Sequence, residues 1–312
     1  MYLDLNHTLL HLVCKITKVN GTNIEADAAV APIAYHVATM FNQEEINLGN
    51  RLVTQSDNMY AYRAYIESIL YYSPKALDTQ LSVGLFYKDS QAHFEDTALD
   101  GGNNGFKKRA SFAAGSRQFD LLGGIQSDLF FQDKLLVNSI DYKLELNHNK
   151  DTFYLISGDT FSGLYTSNPF NFKHYDINYA ALVHEGAVIP AKPFTPSFGT
   201  SNFVREYLGL VSITGKHLRD SGVIVSREGY EAGYTLFAFD LTPYMEDGDH
   251  YNLIKNGNLK AEIRFTQALA TNVNMVVFSV FNGVIQVNHA QQIMFDYHQK
   301  IVKWTLCIYV TS

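Results

Sequence analysis

The stretch Asn252–Phe265, "NLIKNGNLKAEIRF", ends in seven residues in which apolar and polar side chains alternate. The apolar positions are Leu259, Ala261, Ile263 and Phe265, and the polar positions are Lys260, Glu262 and Arg264. Successive side chains of a β-strand point to opposite faces of the sheet, so this pattern predicts a strand with one buried face. We therefore expect Ile263 and Phe265 to be buried, and Lys260 and Glu262 to be exposed.

The same arrangement occurs earlier, in Lys134–Asn147, "KLLVNSIDYKLELN". In both stretches an asparagine, Asn138 or Asn256, follows an apolar strand end and opens a second, alternating strand. The alternation of the earlier strand predicts that Leu144 and Leu146 are buried and that Lys143 and Glu145 are exposed.

Two hairpins, each followed by a helix, repeat in the same order along the chain. The hairpins centre on Gly49-Asn50 and Glu185-Gly186, where a tight turn needs residues that tolerate positive φ. Helical spacing of apolar residues then predicts helices over Tyr62–Leu70 and Phe203–Val211. The capping candidates are Ser56 to Asn58 for the first helix and Ser201 or Asn202 for the second.

Two short motifs strengthen the repeat. Each helix carries Arg-x-Tyr, beginning at Arg63 and Arg205, and each is followed later by Phe-Asp-Leu, beginning at Phe119 and Phe239. Four matching features in one order (hairpin, Arg-x-Tyr helix, Phe-Asp-Leu, strand pair) indicate an internal duplication.

The length and composition fit two β-rich domains. A chain of 312 residues exceeds the usual size of one domain, and 21 Phe and 20 Tyr favour strands, whose pleated surface suits aromatic side chains. Clean alternation is typical of sheets that bury one face, as in a sandwich. We predict an all-β fold of two tandem jelly-roll sandwiches, a double jelly roll, with one short helix inserted in each.

Charge and cysteine content exclude several classes of protein. A net charge of −7 gives no support for a nucleic-acid-binding surface. The one basic run, Lys107, Lys108 and Arg109, follows the Gly-rich "DGGNNG" and is interpreted as a solvated loop, with contact to an anionic partner as the alternative. Two cysteines exclude a disulfide framework, and Cys14 alternates with apolar residues as a core position would. With no signal peptide and no membrane span visible, the expectation is an intracellular protein.

No pattern of catalytic or metal-binding residues stands out. His184 begins "HEGAV", but no second histidine follows at the spacing of a zinc site. Glu246, Asp247 and Asp249 cluster in "MEDGDH" without the spacing of a calcium loop, so a polar inter-strand loop is the preferred interpretation. We therefore predict no catalytic, cofactor-binding or metal-binding residues, and no enzyme activity.

Several longer motifs resemble the major capsid protein of Polinton (Maverick) elements, which are virus-like DNA transposons. The motifs are "FYKDS", "RAYIESILYYS", "NPFNFKHYDINYAAL", "GYTLFAFDLTPY" and "NLIKNGNLKAEIRF", and the resemblance extends from about Leu3 to Tyr297. It implies a double jelly roll similar to adenovirus hexon, trimeric capsomers that tile an icosahedral shell, and no catalytic residues.

The chain departs from that family in three places. It begins almost inside a strand, so the family's leading segment is expected to be missing. The two halves are joined directly near Ser157-Gly158, where the family carries an additional stretch, so we expect the first jelly roll to be incomplete and the region from Asp151 to Thr166 to be poorly packed. Residues 298–312 have no counterpart in the family. The predicted domains are therefore 1–157, 158–297 and an unrelated tail, 298–312.

Two functions remain open at this point. The first is a structural protein: a capsid subunit, or a genomic relic of one, that associates with itself as a homotrimer and in a lattice, and with minor capsid or penton proteins. It would be found in the virion, or in the nucleus or cytoplasm of the host cell. The second is a host-adapted jelly-roll module that binds a glycan or a protein through loops such as "DGGNNGFKKR".

Overall fold

The structure, a computed structural model, describes residues 2–54, 57–137, 140–158, 167–241, 257–279, 282–288, 291–300 and 305–311. The chain is mostly β, with 32% of its residues in strands and 23% in helices. It divides into two compact units: Met1–Asn168 with His289–Ile293, and Pro169–Asn288 with Met294–Ser312. The division at Asn168 lies beyond the predicted boundary at residue 157.

The first unit contains nine strands and four α-helices among its described residues. In chain order they are β1 (Tyr2–Leu3), β2 (Leu9–Cys14), β3 (Val30–Pro32), α1 (His36–Thr39), β4 (Phe41–Leu48), β5 (Arg51–Leu52), α2 (Tyr60–Tyr71), α3 (Asn104–Ala113), β6 (Phe119–Gly124), β7 (Leu136–Val137), β8 (Tyr142–His148), α4 (Asp151–Tyr154) and β9 (Leu155–Ser157).

The elements that follow Asn168 are again a hairpin, helices and strands. They are β10 (Ile177–His184), β11 (Ala187–Phe194), α5 (Val204–Ile213), α6 (Arg227–Glu231), β12 (Phe237–Asp240), β13 (Leu259–Phe265), β14 (Asn274–Phe278), β15 (Asn282–Val287), β16 (Ile293–Lys300) and β17 (Thr305–Thr311).

The largest sheet among the described residues of the first unit, called the central sheet below, is three-stranded and antiparallel, in the order β5-β4-β8. The hairpin turns at Gly49, whose φ of 58° is the left-handed conformation that the turn requires. Strand β8 pairs with the other side of β4, from Leu48 opposite Tyr142 to Phe41 opposite His148. The register shifts between Phe41 and Gln43, which marks a β-bulge.

The second unit contains a sheet of the same construction, in the order β11-β10-β13. Its hairpin turns at Glu185 and Gly186, both at positive φ, and β13 pairs antiparallel with the other side of β10. The register of that pairing also shifts near the start of the first strand, between Ile177 and Tyr179. The two predicted hairpins and the two predicted alternating strands are therefore confirmed, and each alternating strand adds to the first strand of its hairpin.

The faces of the alternating strands agree with the prediction, but the burial is shallower. In β8, Leu144 and Leu146 are half-buried, while Lys143 and Glu145 are exposed. In β13, the apolar side chains Leu259, Ala261, Ile263 and Phe265 are half-buried and Lys260 is exposed. Glu262, predicted to be exposed, is half-buried in the sheet beside Lys260 and Arg264, which both reach its carboxylate.

Both predicted helices are present, and each is slightly shifted. Helix α2 covers Tyr60–Tyr71 and ends before Ser73-Pro74, and α5 covers Val204–Ile213. The predicted caps are wrong, because the residues that precede these helices are Met59 and Phe203, neither of which makes a side-chain capping bond. No helix in the described ranges is long and apolar enough to cross a membrane.

The prediction of one helix per unit is wrong, and the fold is mostly β rather than all-β. The largest addition is α3, which occupies the stretch interpreted as a Gly-rich, solvated loop. Its first residue follows Asn103, whose side-chain oxygen accepts a hydrogen bond from the backbone N–H of Phe106 and so caps the helix. In the second unit, Ser226 caps the short helix α6 in the same way through Gly229 N–H.

The Phe-Asp-Leu motifs begin or end strands in both units. Phe119 starts β6, which pairs with β2, and Phe239 lies in β12, which pairs with β17. Strand β17 is the middle strand of the sheet β12-β17-β14, so residues 305–311, which the sequence separates as a tail, form part of the second unit.

The residues that lead into the junction at Ser157-Gly158 are well packed. Strand β9 pairs with β3, Ile156 and Ser157 are buried, and Gly158 N–H donates to the carbonyl oxygen of Ala29. The expectation of poor packing is therefore wrong for residues 155–158, because β3 supplies them with a buried partner strand. Residues 151–154 of the predicted region form helix α4, which has no buried residue, in agreement with the expectation. Residues 159–166 lie outside the described residues, as do Asn138 and Asn256.

Candidate functional site

The sequence predicted no catalytic or metal-binding residues, and the positions that it considered are placed as follows. His184 ends β10, immediately before the hairpin turn, as expected. Glu246, Asp247 and Asp249 lie outside the described residues. Across the described part of the chain, no group of three His, Cys, Asp or Glu side chains could hold a metal ion.

The interpretation of the basic run as a solvated loop is wrong. All three residues lie on helix α3, where Lys108 is exposed, Lys107 is half-buried and Arg109 is fully buried. The Lys107 ammonium donates to the carbonyl oxygen of Gly101 at 2.8 Å. The Lys108 ammonium lies 5.8 Å above the ring of Tyr87. The run is thus divided between the surface and the core by the period of the helix.

Arg109 is the centre of a buried polar network, the Asp89–Arg109 network. Its Nη2 lies 2.6 Å from Asp89 Oδ1, and both side chains have 0% exposure. Its Nε donates to the carbonyl oxygen of Pro32 at 2.7 Å, and its Nη1 donates to the carbonyl oxygen of Tyr87. These bonds join α3 to strand β3 and to the segment around Asp89.

Two asparagines complete the coordination of the Asp89 carboxylate. Asn103 Nδ2 donates to Oδ1 at 2.9 Å, and Asn168 Nδ2 donates to Oδ2 at 2.8 Å. A buried ion pair tolerates its desolvation only when further hydrogen bonds satisfy both partners, and that condition is met here. Asp89 belongs to "FYKDS" and Asn168 to "NPFNF", so two separate motifs of the sequence meet at one carboxylate.

The loop that could serve a binding module is held by bonds within the chain. The carboxylate of Asp96 accepts hydrogen bonds from the backbone N–H groups of Ala98 and Gly102. These bonds hold the pKa of Asp96 below its usual range. Asn103 caps α3 at the end of the same loop. The backbone N–H groups of Ala98 and Gly102 are therefore used internally, and no observation here favours a glycan- or protein-binding role for "DGGNNGFKKR".

A second buried cluster joins β4 to α2 in the first unit, and sequence reasoning missed it. It contains Glu44 on β4 and Arg63 and Glu67 on α2, with Asp128 beside them. Arg63 Nε lies 3.0 Å from Glu67 Oε1, and Arg63 Nη2 lies 2.6 Å from Asp128 Oδ1. The signals were present in the sequence: Glu44 shares a face of β4 with Ile46, and Glu67 lies four residues after Arg63 on the helix.

Exposed apolar side chains form the other notable feature of the first unit. Strand β2 buries Leu10, Leu12 and Cys14 halfway on one face, and its other face carries Leu9 and Val13, 59% and 63% exposed, with the exposed His11 between them. The small sheet β1-β7 adds further exposed residues, namely Tyr2, Leu3 and Val137. Apolar strand faces of this kind mark protein contacts in many soluble proteins.

The core beneath the central sheet of the first unit is only partly closed. Four residues are fully buried there: Leu5, Ile46, Ile125 and Phe130. The apolar residues packed against them are only partly buried, and these are Leu10, Val53, Leu129, Leu136, Tyr142, Leu144 and Leu146. The apolar side chains of β8 on this face are therefore covered only in part by the described residues.

The comparisons with known proteins give one relative. The chain is 21% identical to an uncharacterized protein, F54H12.2 of Caenorhabditis elegans, over 394 residues that cover 95% of this chain and 90% of the relative. Since 394 exceeds the 312 residues of this chain, the alignment places stretches of the relative opposite gaps in this chain. No family model matches the chain, and no solved structure matches it.

Proposed function

We propose that this chain is a structural protein, the major capsid subunit of a Polinton-like element or a genomic relic of one, and that its two units are the two jelly rolls of a hexon-like subunit. The observation that carries the proposal is the order of elements shared by the two units. In each unit a hairpin is followed by helices, then by the Phe-Asp-Leu strand, then by a strand that pairs with the first strand of the hairpin.

The repeated β-bulge adds detail to this support. In the first unit the bulge separates Phe41 from Gln43, and in the second it separates Ile177 from Tyr179. In both cases it falls at the start of the first hairpin strand, opposite the end of the alternating strand. A bulge re-aims a strand and persists within families, so its repetition favours two copies of one ancestral unit.

The long alignment with the C. elegans protein supports the proposed internal deletion. The relative contains stretches that this chain lacks. The resemblance to the capsid family predicts that one such stretch is missing near Ser157-Gly158. A jelly roll that has lost strands leaves apolar surface and strand edges uncovered. The half-buried apolar residues that border the cluster of Leu5, Ile46, Ile125 and Phe130, and the exposed apolar residues of β1 and β2, fit that loss.

Self-association is the partner relationship that we propose. A closed shell needs rigid subunits with complementary surfaces, and most soluble homo-oligomers have closed symmetry. The exposed face of β2, on which Leu9 and Val13 flank His11, is the surface that we assign to contacts between copies in a homotrimer. Minor capsid or penton proteins would be further partners, and the assembled particle would be the location of the protein.

Electron microscopy of the expressed chain tests this proposal. The chain is produced in eukaryotic cells, the lysate is sedimented, and the fractions are stained and imaged. We expect three-fold capsomers or regular particles in the fast-sedimenting fractions. A chain recovered only as a dispersed monomer, with a bound glycan or host protein, would contradict the proposal and favour the binding module.

A further inference from the structure

We propose that Glu44 and Glu67, with Arg63 paired to Glu67, form a proton-operated latch between strand β4 and helix α2. The latch holds strand and helix together when a carboxyl group carries a proton, and it loosens when both carboxyl groups are ionised. This inference concerns the first unit alone and does not depend on the proposed capsid function.

Two buried carboxyl groups, one on β4 and one on α2, depend on the charge of one cation, Arg63. Glu44 is 6% exposed and Glu67 is 8% exposed. Glu67 Oε1 accepts from Arg63 Nε at 3.0 Å, whereas Glu67 Oε2 and Glu44 Oε2 are buried with no hydrogen-bond partner among the described residues. A buried carboxylate oxygen without a donor is costly, and a proton on that oxygen removes the charge.

The charges of the cluster do not balance when every group is ionised. Among the described residues, Arg63 is the one cation whose charge acts on both glutamates, and its guanidinium contacts Glu67 and, at 2.6 Å, Asp128. Three carboxylates therefore depend on a single positive charge. Asp128 is exposed and its charge is solvated, so the uncompensated charge falls on the buried pair, Glu44 and Glu67.

The pKa values of the two glutamates follow from this arrangement. Burial raises the pKa of Glu44 to about 7, and the charges of Asp128 and Glu67 add to the rise, while Arg63 and Ser127 oppose it. Burial likewise raises the pKa of Glu67 to about 7, with Asp128 adding to the rise and Arg63 opposing it. Both groups thus take up a proton near neutral pH instead of near 4.5.

The other titratable groups around the pair are tyrosines. Burial raises the pKa of Tyr60 and Tyr35, so both hydroxyls stay protonated throughout the range in which the glutamates titrate. Tyr72 has a raised pKa for the same reason, with a contribution from Glu67. On the neighbouring helix α1, burial lowers the pKa of His36 to about 3, so its ring is neutral above pH 5. His148 lies at the other end of β4, opposite Phe41, and is not among the charges that act on Glu44 or Glu67.

The direction of the pH dependence follows from the raised pKa values. The folded state binds protons at Glu44 and Glu67 more tightly than the unfolded state does. The stability that the protonated pair contributes is therefore fully present below pH 4.5 and is lost as pH rises through about 7. Between pH 6 and pH 8 this loss changes the opening equilibrium by about tenfold for one such group. Helix α2 packs on β4, the middle strand of the central sheet, so the opening separates helix from sheet.

Hydrogen exchange of the full chain at pH 6 and pH 8, corrected for the intrinsic exchange rate, tests the latch. In the unmodified protein we expect peptides covering residues 41–48 and 60–71 to lose about tenfold in protection at pH 8. The variant carrying Glu44→Gln and Glu67→Gln should show equal protection at both pH values. The matched control is Glu145→Gln, which replaces an exposed glutamate on the neighbouring strand β8. This variant should show the same loss of protection at pH 8 as the unmodified protein.

A second measurement decides the matter even if the double variant does not fold. Carbon-13 NMR of the chain labelled at glutamate carboxyl groups should show resonances that titrate near pH 7 and that disappear in the single variants E44Q and E67Q. The latch is overturned if every glutamate of the unmodified chain titrates below about pH 5.5, a value close to that of an unperturbed group. It is equally overturned if protection of residues 41–48 and 60–71 is the same at pH 6 and pH 8.

Discussion

Arg109 and Asp89 form an ion pair of 2.6 Å between two side chains that water does not reach. Each partner is further satisfied by the chain: two backbone carbonyl groups accept from the guanidinium, and two asparagine amides donate to the carboxylate. The pair connects helix α3, strand β3 and the segment that carries Asp89. Removal of either member therefore leaves a buried charge with no counterion, which is among the most destabilising changes a protein can suffer.

Arg109→Ala should lower the free energy of unfolding of the first unit by about 3–5 kcal/mol. Lys108→Ala is the matched control, because it also removes one positive charge from α3, but from an exposed side chain at the adjacent position. It should lower the free energy of unfolding by less than about 0.5 kcal/mol. Urea denaturation followed by circular dichroism measures both. Equal losses for the two variants would contradict the buried network.

Gly105→Ala should destabilise the protein although alanine is the better helix former. Gly105 lies in the first turn of α3, and an added Cβ would overlap the backbone carbonyl group of Lys88. Gly124→Ala, where the added Cβ meets nothing within 4 Å, is the control and should be close to neutral. In thermal unfolding we expect a lower midpoint for G105A alone, by several degrees. A gain of stability in G105A, as helix propensity alone predicts, would be inconsistent with the close packing of α3.

His36→Phe should protect the first unit against acid. Burial lowers the pKa of His36 to about 3, and its ring lies between those of Phe119 and Tyr154, at centroid distances of 6.3 Å and 5.6 Å. Since the unfolded state binds the proton of His36 more tightly than the folded state does, the free energy of unfolding falls as pH drops below about 6.5. Between pH 6.5 and pH 5, the free energy of unfolding of the unmodified protein should fall by about 2 kcal/mol more than that of H36F. Urea midpoints measured at both values test this, and a difference between the two proteins that stays constant with pH would refute it.

The double substitution Leu9→Lys and Val13→Lys should weaken self-association without loss of fold. Both side chains point outward from β2 and are more than half exposed, so charge is placed on the proposed contact surface and the core is spared. Val19→Lys is the control, because Val19 is 95% exposed and lies outside β2. Light scattering should report smaller species for L9K/V13K than for V19K at equal thermal midpoints. If both variants associate as the unmodified chain does, β2 is not the contact surface.

The strands and the two long hairpin-associated helices could be predicted because their signals are local. Alternation in Tyr142–His148 and Leu259–Phe265 determines which side chains share a face of the sheet. This division depends on the strand itself and not on the residues that pack against it. The depth of burial could not be predicted in the same way. Leu144 and Leu146 are half-buried because the amount of surface that covers them depends on strands elsewhere in the chain.

Helix α3 and the two buried charge clusters were missed for different reasons. Glycine and asparagine in "DGGNNG" favour a loop, yet Asn103 uses its side chain to cap a helix that begins in that stretch. The spacing of Phe106, Arg109, Ala110 and Ala113 was a helical signal that the loop interpretation overlooked. The partners of Arg109 and Glu44 come from distant segments, and no local pattern indicates which charges meet in a core.

The mass of the chain in solution tests the central claim, that this is a self-assembling structural subunit, most directly. Sedimentation equilibrium over a hundredfold range of protein concentration, at pH 6, gives that mass without assumptions about shape. We expect a species of three times the chain mass of 35.2 kDa, or a larger assembly built from it, that persists on dilution. A single well-folded species of 35.2 kDa at every concentration would contradict it.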